Sequence, residues 1–199
     1  MCSHPKQASG FTLLELIVAI SIAGILMAMA IPSFSDMMRN NRLTTYANEL
    51  VTSLNIARSE AVKRGVTVTV AKTSATSSSY WSASGWNVFV DNNGNKTFET
   101  GTDDLLRTYD KLPSKFILAG NGGIVNYITY QSDGTSNMGG TFALCDISNG
   151  NGIPPKPYTS KLIIISPVGR IRMGKDSDND GIPEKDSSLS SELTDCTSP

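Results

Sequence analysis

The residues best suited to chemistry lie in one acidic segment near the end of the chain, which reads D-S-D-N-D-G-I-P-E-K-D over Asp176–Asp186. The carboxylates of Asp176, Asp178 and Asp180 occupy alternate positions ahead of Gly181. Calcium loops have this order, because side-chain oxygens at the first, third and fifth positions bind the ion and a glycine at the sixth makes the sharp turn. The pattern therefore makes this segment a candidate calcium site.

The remaining candidate ligands of this loop match the pattern of calcium loops less well. Ile182 can offer its backbone carbonyl, and Glu184 can make a direct or water-mediated contact. The twelfth position, which is acidic in calcium loops, is Ser187, so Asp186 has to replace it from one residue earlier. The alternative is a solvated acidic turn. Calcium is the one cofactor that the sequence suggests, and nothing in the sequence requires a cofactor.

A weaker version of the pattern occurs earlier in the chain, after the segment G-W-N-V-F-V. Asp91, Asn93, Asn95 and Glu99 offer oxygens at alternating positions, but Lys96 stands where calcium loops have glycine. We interpret this segment as the polar loop of a hairpin.

Two arginines flank Ile171 in the segment G-R-I-R. Because side chains alternate along a strand, Arg170 and Arg172 are predicted to share one face, with Lys175 close behind. Guanidinium groups bind phosphate oxygens through paired, charge-assisted hydrogen bonds, so these residues are a candidate phosphate-binding patch. The alternatives are a solvated strand face, or arginines that pair with the acidic residues after them.

The sequence gives little support to catalysis. It has a single histidine, His4, and three cysteines. It has no serine nucleophile elbow, no glycine loop that cradles phosphate and no zinc-ligand spacing, and no carboxylate pair is singled out by its spacing. The formal net charge of -1 predicts no general affinity for nucleic acid or anionic surfaces. We therefore predict a structural or binding protein and not an enzyme.

The element that dominates the chain is an apolar run near its start, from Phe11 to Ile31, in which Glu15 is the only charged residue. About 20 apolar residues form a helix long enough to cross a hydrocarbon layer roughly 30 Å thick. A carboxylate in hydrocarbon costs several kcal/mol unless it is paired. The run is therefore predicted to span a membrane, with Glu15 seeking a cation.

The rest of the chain has two further patterns. Residues 33–65 are predicted to continue as an amphipathic helix, because apolar residues recur at three- and four-residue steps. The residues of this apolar face are Leu43, Ala47, Leu50, Leu54, Ala57 and Ala61. Residues 66–173 alternate in short segments separated by turn residues, which predicts an antiparallel β head. We expect strands near residues 66–72, 85–91, 105–109, 115–118, 125–131, 141–145, 161–166 and 168–173, followed by an Asp/Ser-rich irregular tail at 174–199.

The junction G-F-T-L-L-E, from Gly10 to Glu15, resembles the class III signal of type IV pilins and type II secretion pseudopilins. The resemblance implies that residues 1–10 are a leader, which a prepilin peptidase removes after Gly10, and that Phe11 is N-methylated. It implies that residues 11–32 are the transmembrane half of a long helix. It also implies that Glu15 attracts the N-terminal amine of a neighbouring subunit in a filament.

Segments of the head are similar to the FimT/FimU minor pilins and the GspH pseudopilins: Ala47–Gly65, Gly85–Asn95 and Ser166–Arg172. The resemblance implies an α+β pilin fold, in which a long N-terminal transmembrane and amphipathic α-helix packs on a small antiparallel β-sheet or β-sandwich head. It implies a single-pass protein of the inner membrane with a periplasmic head, which then enters a pilus or pseudopilus. The implied partners are other pilins and minor pilins, the prepilin peptidase, the inner membrane and, for the Gly-Arg-x-Arg segment of FimT-like pilins, double-stranded DNA.

Three functions are consistent with this sequence. The first is a minor type IV pilin at or near the pilus tip, which assists pilus assembly and DNA uptake. The alternatives are a GspH-type pseudopilin of a type II secretion system and a DNA receptor for natural transformation. Because Cys2 leaves with the leader, Cys145 and Cys196 remain in a domain outside the inner membrane, and this even pair predicts one disulfide.

Overall fold

The computed structural model describes residues 11–73, 80–148, 150, 154–185, 192–197 and 199. The predictions for the leader with Gly10, and those for Asp186 and Ser187, lie outside the described residues. The chain forms two compact units, Met1–Arg39 and Asn40–Pro199. We describe each unit by itself.

One helix, α1, runs from Leu13 to Arg64. Lys63 and Arg64 lie in its last turn, where positive charge complements the negative end of the helix dipole. Gly65 follows with a φ of +69°, and its amide donates a hydrogen bond to the carbonyl of Ala61. Left-handed backbone of this kind ends helices and favours glycine, so Gly65 caps α1.

In the first unit α1 carries the apolar run. Its large apolar side chains are all exposed within the chain, from 47% for Val18 to 84% for Phe11. Among the described residues, α1 is the only helix long and apolar enough to cross a membrane. An uninterrupted apolar surface of this length requires lipid or other protein around it.

In the second unit one face of α1 belongs to the hydrophobic core. The six predicted side chains of this face, which are Leu43, Ala47, Leu50, Leu54, Ala57 and Ala61, are between 0% and 1% exposed. They pack in one cluster with apolar residues from the strands. The indole N–H of Trp86 donates to the hydroxyl of Ser53 at 3.0 Å, so the helix and a strand are also joined by a buried hydrogen bond.

The described part of the head has eight strands in two antiparallel sheets. In chain order these are β1 (Val68–Lys72), β2 (Trp86–Val90), β3 (Asp104–Tyr109), β4 (Phe116–Gly120), β5 (Tyr127–Tyr130), β6 (Gly140–Asp146), β7 (Ser160–Ile165) and β8 (Ile171–Met173). One sheet has the order β3-β2-β1-β5 and the other β4-β6-β7-β8. Each predicted strand is present, and the largest shift of an end is at β8, because a tight turn precedes it.

Two short helical elements were not predicted: α2 (Trp81–Ser84) and a 3₁₀ turn (Gly122–Ile124). Trp81 is fully buried, its indole N–H donates to the carbonyl of Val125 at 2.9 Å, and its ring meets Phe142 edge-on at 5.0 Å. These contacts join residues far apart in the chain. No local periodicity indicates them.

Polar segments cover the faces of the two sheets that lie away from this core. In the first sheet, Phe89 is fully buried and its ring lies 5.6 Å from Phe98, which comes from the loop between β2 and β3. In the second sheet, Ala143 and Leu162 cluster with Leu193 from the C-terminal tail. A loop and a tail that are rich in acidic residues therefore complete the apolar packing of both sheets.

The helix face determines the stability of the head, because it occupies the middle of the core. We predict that Leu50→Ala lowers the free energy of unfolding by about 2–5 kcal/mol, the usual cost of a cavity in a packed core. Urea unfolding of the full-length protein in detergent measures the change. The matched control is Leu105→Ala, at a side chain 48% exposed, with an effect of about 1 kcal/mol or less. Equal losses for the two variants would contradict the assigned core.

Candidate assembly and ligand sites

The first turn of α1 holds a carboxylate in a defined position. The amide and the hydroxyl of Thr12 both donate to Oε2 of Glu15 at 2.9 Å, and the amide of Glu15 donates back to the hydroxyl oxygen of Thr12 at 3.2 Å. This is a capping box, in which the two residues satisfy each other's backbone amides. No described residue donates to the other oxygen, Oε1. Glu15 therefore keeps one oriented acceptor for a cation from elsewhere.

From the sequence we predict a partner for Glu15 in another subunit, but we do not predict Thr12, its partner in the same chain. The signal was present, because a threonine followed three residues later by a glutamate at the start of an apolar run is the sequence pattern of a capping box.

The predicted disulfide between Cys145 and Cys196 is confirmed, and it joins β6 to the tail across a sequence separation of 51. Leu193 and Ile182 pack beside it against the outer face of the second sheet. Only isolated bridges, such as those of Glu184 with Lys175 and with Glu192, give the described part of the tail any regular pairing. The described part of the tail is thus irregular, and it packs against the second sheet of the head.

The two arginines of the candidate phosphate-binding patch lie at the start of β8. Arg172 is inside the strand, whereas Arg170 ends the preceding turn, where its amide donates to the hydroxyl oxygen of Ser166 at 3.2 Å. Both side chains and that of Lys175 are exposed, and Ile171 between the arginines packs against the core. Within the described ranges neither guanidinium forms an ion pair, although Arg172 donates to the carbonyl of Lys185.

The turn that carries Arg170 is held against α1. Nε of Arg58 donates to the carbonyl of Gly134 at 3.0 Å, and its Nη2 donates to the carbonyl of Val168 at 3.4 Å. Gly169 has a φ of +76°, and a Cβ atom there would lie 2.0 Å from the carbonyl oxygen of Gly134. Only glycine permits this approach, so the position of the patch is determined by the backbone.

The predicted calcium loop brings three carboxylates together. Ligand oxygens of Asp176, Asp178 and Glu184 all lie within 4.8 Å of one another. Glu184 is 2% exposed, and Oδ1 of Asp176 is buried with no hydrogen-bond partner. Asp180 is outside this group and exposed, while Ile182 is half-buried against the sheet.

Glu192 is a further acidic residue at this site, and sequence reasoning missed it. Partial burial raises the pKa of its carboxyl, and the negative charges of Asp180, Asp178 and Glu184 raise that pKa further, together with a hydrogen bond that the protonated carboxyl of Glu192 donates to Asp180. No spacing in the sequence indicates Glu192, because the fold of the tail brings it back to the loop. Glu192 therefore lies among the carboxylates of the loop.

The earlier acidic segment is the loop between β2 and β3, as its interpretation as a hairpin loop requires, but it is not simply solvated. Asp91 is only 6% exposed. Its Oδ2 accepts hydrogen bonds from the Thr69 hydroxyl and the Lys96 amide, each at 3.1 Å, whereas its Oδ1 is buried without a partner. Asn93 donates to Glu99 across the loop at 2.8 Å.

The long apolar helix with a capped glutamate and the two-sheet head define a protein of the type IV pilin class. Sequence comparison agrees: the profile of the prokaryotic N-terminal methylation motif matches residues 5–31. The profile of the family described as "Type II transport protein GspH" matches residues 46–169, more than half of the chain. The chain belongs to the GspH family.

Individual relatives support the same assignment. The chain is 29% identical over 159 residues to "Pilin-like protein PilA1" of Thermus thermophilus, covering 79% of this chain and 86% of that protein. Two crystal structures of the type IV minor pilin FimU from Pseudomonas aeruginosa share the fold, with TM-scores of 0.52 and 0.50 at 20% identity. They cover 74% and 73% of this chain, and 96% and 99% of the FimU chains.

These matches confirm the α+β pilin fold and the recognition of a pilin-like protein. Pilins and pseudopilins are structural proteins, which assemble with other pilins into filaments and are anchored by the N-terminal helix before assembly.

The disulfide is predicted to contribute to stability mainly through the unfolded chain. Closing a loop of this length lowers unfolded-state entropy by an amount equivalent to about 4 kcal/mol. Cys145→Ser combined with Cys196→Ser should therefore lower the free energy of unfolding by about that amount, as measured by urea unfolding of the mature protein. Reductant should destabilise the wild type and leave the double variant unchanged. Two titratable thiols in unfolded, unreduced wild-type protein would contradict the bond.

Proposed function

We propose that this protein is a minor subunit of a type IV pilus, placed at or near the pilus tip, where it assists assembly. The likeness of its fold to the minor pilin FimU supports this role. The second candidate within the same class is a pseudopilin of a type II secretion system, which the family description favours. In both cases the role is structural and not catalytic.

We propose further that a prepilin peptidase cuts after Gly10 and that Phe11 is then N-methylated, because the match to the methylation motif spans both residues. Before assembly the chain is a single-pass protein of the inner membrane with its head in the periplasm. The bond between Cys145 and Cys196 supports a location outside the cytoplasm, since structural disulfides persist in oxidising compartments.

The observation that carries the proposal is the state of Glu15. The carboxylate lies at the start of an apolar helix, it is held by Thr12 through Oε2, and no described residue donates a hydrogen bond to Oε1. In hydrocarbon such a charge is costly unless a cation joins it. Cleavage after Gly10 creates an amine on Phe11 of every subunit. The amine of a neighbouring subunit supplies the cation, so the association of membrane-embedded subunits is strongly favoured.

Two substitutions separate the charge of Glu15 from its role as a cap. Glu15→Ala removes both, whereas Glu15→Gln keeps an oxygen that accepts the hydrogen bonds of Thr12 and removes only the charge. We predict that both variants insert in the membrane and that both are lost from sheared filaments, as measured by immunoblot of membrane and filament fractions.

Thr12→Val is the matched control, since it weakens the cap and keeps the charge, and it should still enter filaments. Wild-type amounts of Glu15→Gln in filaments would show that the charge does not drive assembly.

We propose DNA binding as a second function, favoured by one observation: Arg170, Arg172 and Lys175 are all exposed on one short stretch of the head, and the turn that carries Arg170 is braced by Arg58. Cations held on a well-ordered stretch of backbone can contact successive phosphates. Two or three such contacts produce weak, salt-sensitive and sequence-independent binding, because each releases a condensed counterion.

Arg170→Ala combined with Arg172→Ala is predicted to abolish this binding, measured by fluorescence titration of labelled double-stranded DNA with the full-length protein in detergent at low salt. The control removes two exposed cations elsewhere, with Arg107→Ala and Lys111→Ala, and it should retain binding. Equal loss in both double variants would assign the effect to net charge and not to this patch. Calcium should tighten binding relative to chelator, because it offsets the acidic residues beside the arginines.

A further inference from the structure

The two acidic loops of the head share one hydrogen-bonding scaffold. In each, the aspartate at the first position accepts from the amide of the sixth residue through Oδ2: Asp91 from Lys96 at 3.1 Å, and Asp176 from Gly181 at 3.0 Å. In each, the side-chain oxygens at the third and fifth positions also accept from the amide two residues on. These four bonds involve Asn93 with Asn95, Asn95 with Thr97, Asp178 with Asp180, and Asp180 with Ile182.

The backbone of the two loops matches as well. The sixth residue has a positive φ in both, +63° at Lys96 and +89° at Gly181. The fourth residue does too, with +73° at Gly94 and +63° at Asn179. Lysine rarely adopts this conformation. The first loop therefore has the turn that a calcium loop requires although it lacks the glycine by which the sequence pattern recognises that turn.

A buried, unsatisfied oxygen points to a ligand in the first loop. Asp91 is 94% buried, Oδ2 is occupied, and Oδ1 accepts no hydrogen bond from any described residue. The nearby cation does not compensate it, because the ammonium of Lys96 lies over the ring of Tyr127, 6.0 Å from its centroid. A carboxylate buried without a cation is strongly unfavourable, so Asp91 requires a positive charge inside the loop.

In the second loop the aspartate at the first position, Asp176, also has a buried Oδ1 without a hydrogen-bond partner. This loop has more carboxylates than the first loop. Glu184 is 98% buried, its described hydrogen bond comes from the amide of Ser177 at 2.9 Å, and no described cation pairs with it. Calcium binds oxygens at about 2.3–2.6 Å, so oxygens on one ion lie within about 5 Å of one another. The ligand oxygens of Asp176, Asp178 and Glu184 lie within 4.8 Å of one another, which meets this condition.

We propose that each loop binds one calcium ion, and that the two ions hold the segments that cover the outer faces of the two sheets. In the first loop the ligands are Asp91, Asn93, Asn95, the carbonyl of Thr97 and Glu99. In the second loop they are Asp176, Asp178, Asp180, the carbonyl of Ile182 and Glu184. The first loop offers two carboxylates and the second four, so we expect weaker binding in the first loop, with a dissociation constant on the order of 10⁻⁴ to 10⁻³ M.

The experiment is equilibrium dialysis of the full-length protein in detergent against ⁴⁵Ca²⁺, after treatment with chelator. Wild-type protein should bind two ions. Asp91→Asn and Asp176→Asn should each bind one, and the double variant none. Asparagine keeps the oxygen that accepts the sixth-position amide, so the loops are expected to fold. Circular dichroism and the intact disulfide check that expectation.

Asp133→Asn is the matched control, because Asp133 also accepts an amide two residues on, from Thr135 at 2.9 Å, but it is exposed and has no buried unsatisfied oxygen. It should bind two ions. Calcium should also raise the Tm of the wild type more than magnesium at the same concentration, and it should leave the Tm of the double variant unchanged. Binding of no ion would overturn the proposal. A single bound ion would overturn it for the loop whose variant still binds that ion.

Discussion

The exposed apolar surface at the start of α1 is the constraint on which the rest of the molecule depends. A helix with this surface cannot remain in water, and lipid and the helices of other subunits are the environments that accept it. The single carboxylate on this surface makes the two environments unequal. Lipid offers Glu15 no cation, whereas in the function proposed above the free amine of a neighbouring subunit supplies one. On that proposal the charge of Glu15 favours assembly, and the capping bond from Thr12 places that charge without neutralising it.

In the head, the two sheets have more apolar surface than α1 can cover. The helix and the inner sheet faces share one core. The outer faces are covered by segments with few apolar residues: Phe98 in one loop, and Leu193 with Ile182 in the tail. Such segments bury little apolar area to offset their ordering entropy, so they need additional links. The disulfide is one such link for the tail, and the calcium ions proposed at Asp91 and Asp176 would be others.

Features set by local pattern could be predicted from the sequence. The face of α1 from Leu43 to Ala61 follows from helical spacing, and the strands follow from alternation and turn residues. The disulfide follows from the number of cysteines and the compartment. Trp81 and Asp91 could not be predicted, because their burial depends on contacts far along the chain. The left-handed backbone of Lys96 could not be predicted, because calcium loops have glycine at this position. The sequence therefore indicated only a polar hairpin loop there. Glu192 reaches the acidic site only through the path of the tail.

In the function proposed above, the apolar surface of α1 exchanges lipid for another subunit. A photo-crosslinking amino acid at Leu26, which is 62% exposed, reports its neighbours directly. In membranes before assembly, the crosslinks should go to lipid. In sheared filaments, mass spectrometry should identify adducts with the N-terminal helix of another pilin subunit. Filaments that contain the protein but yield no such adduct at Leu26 would contradict this exchange.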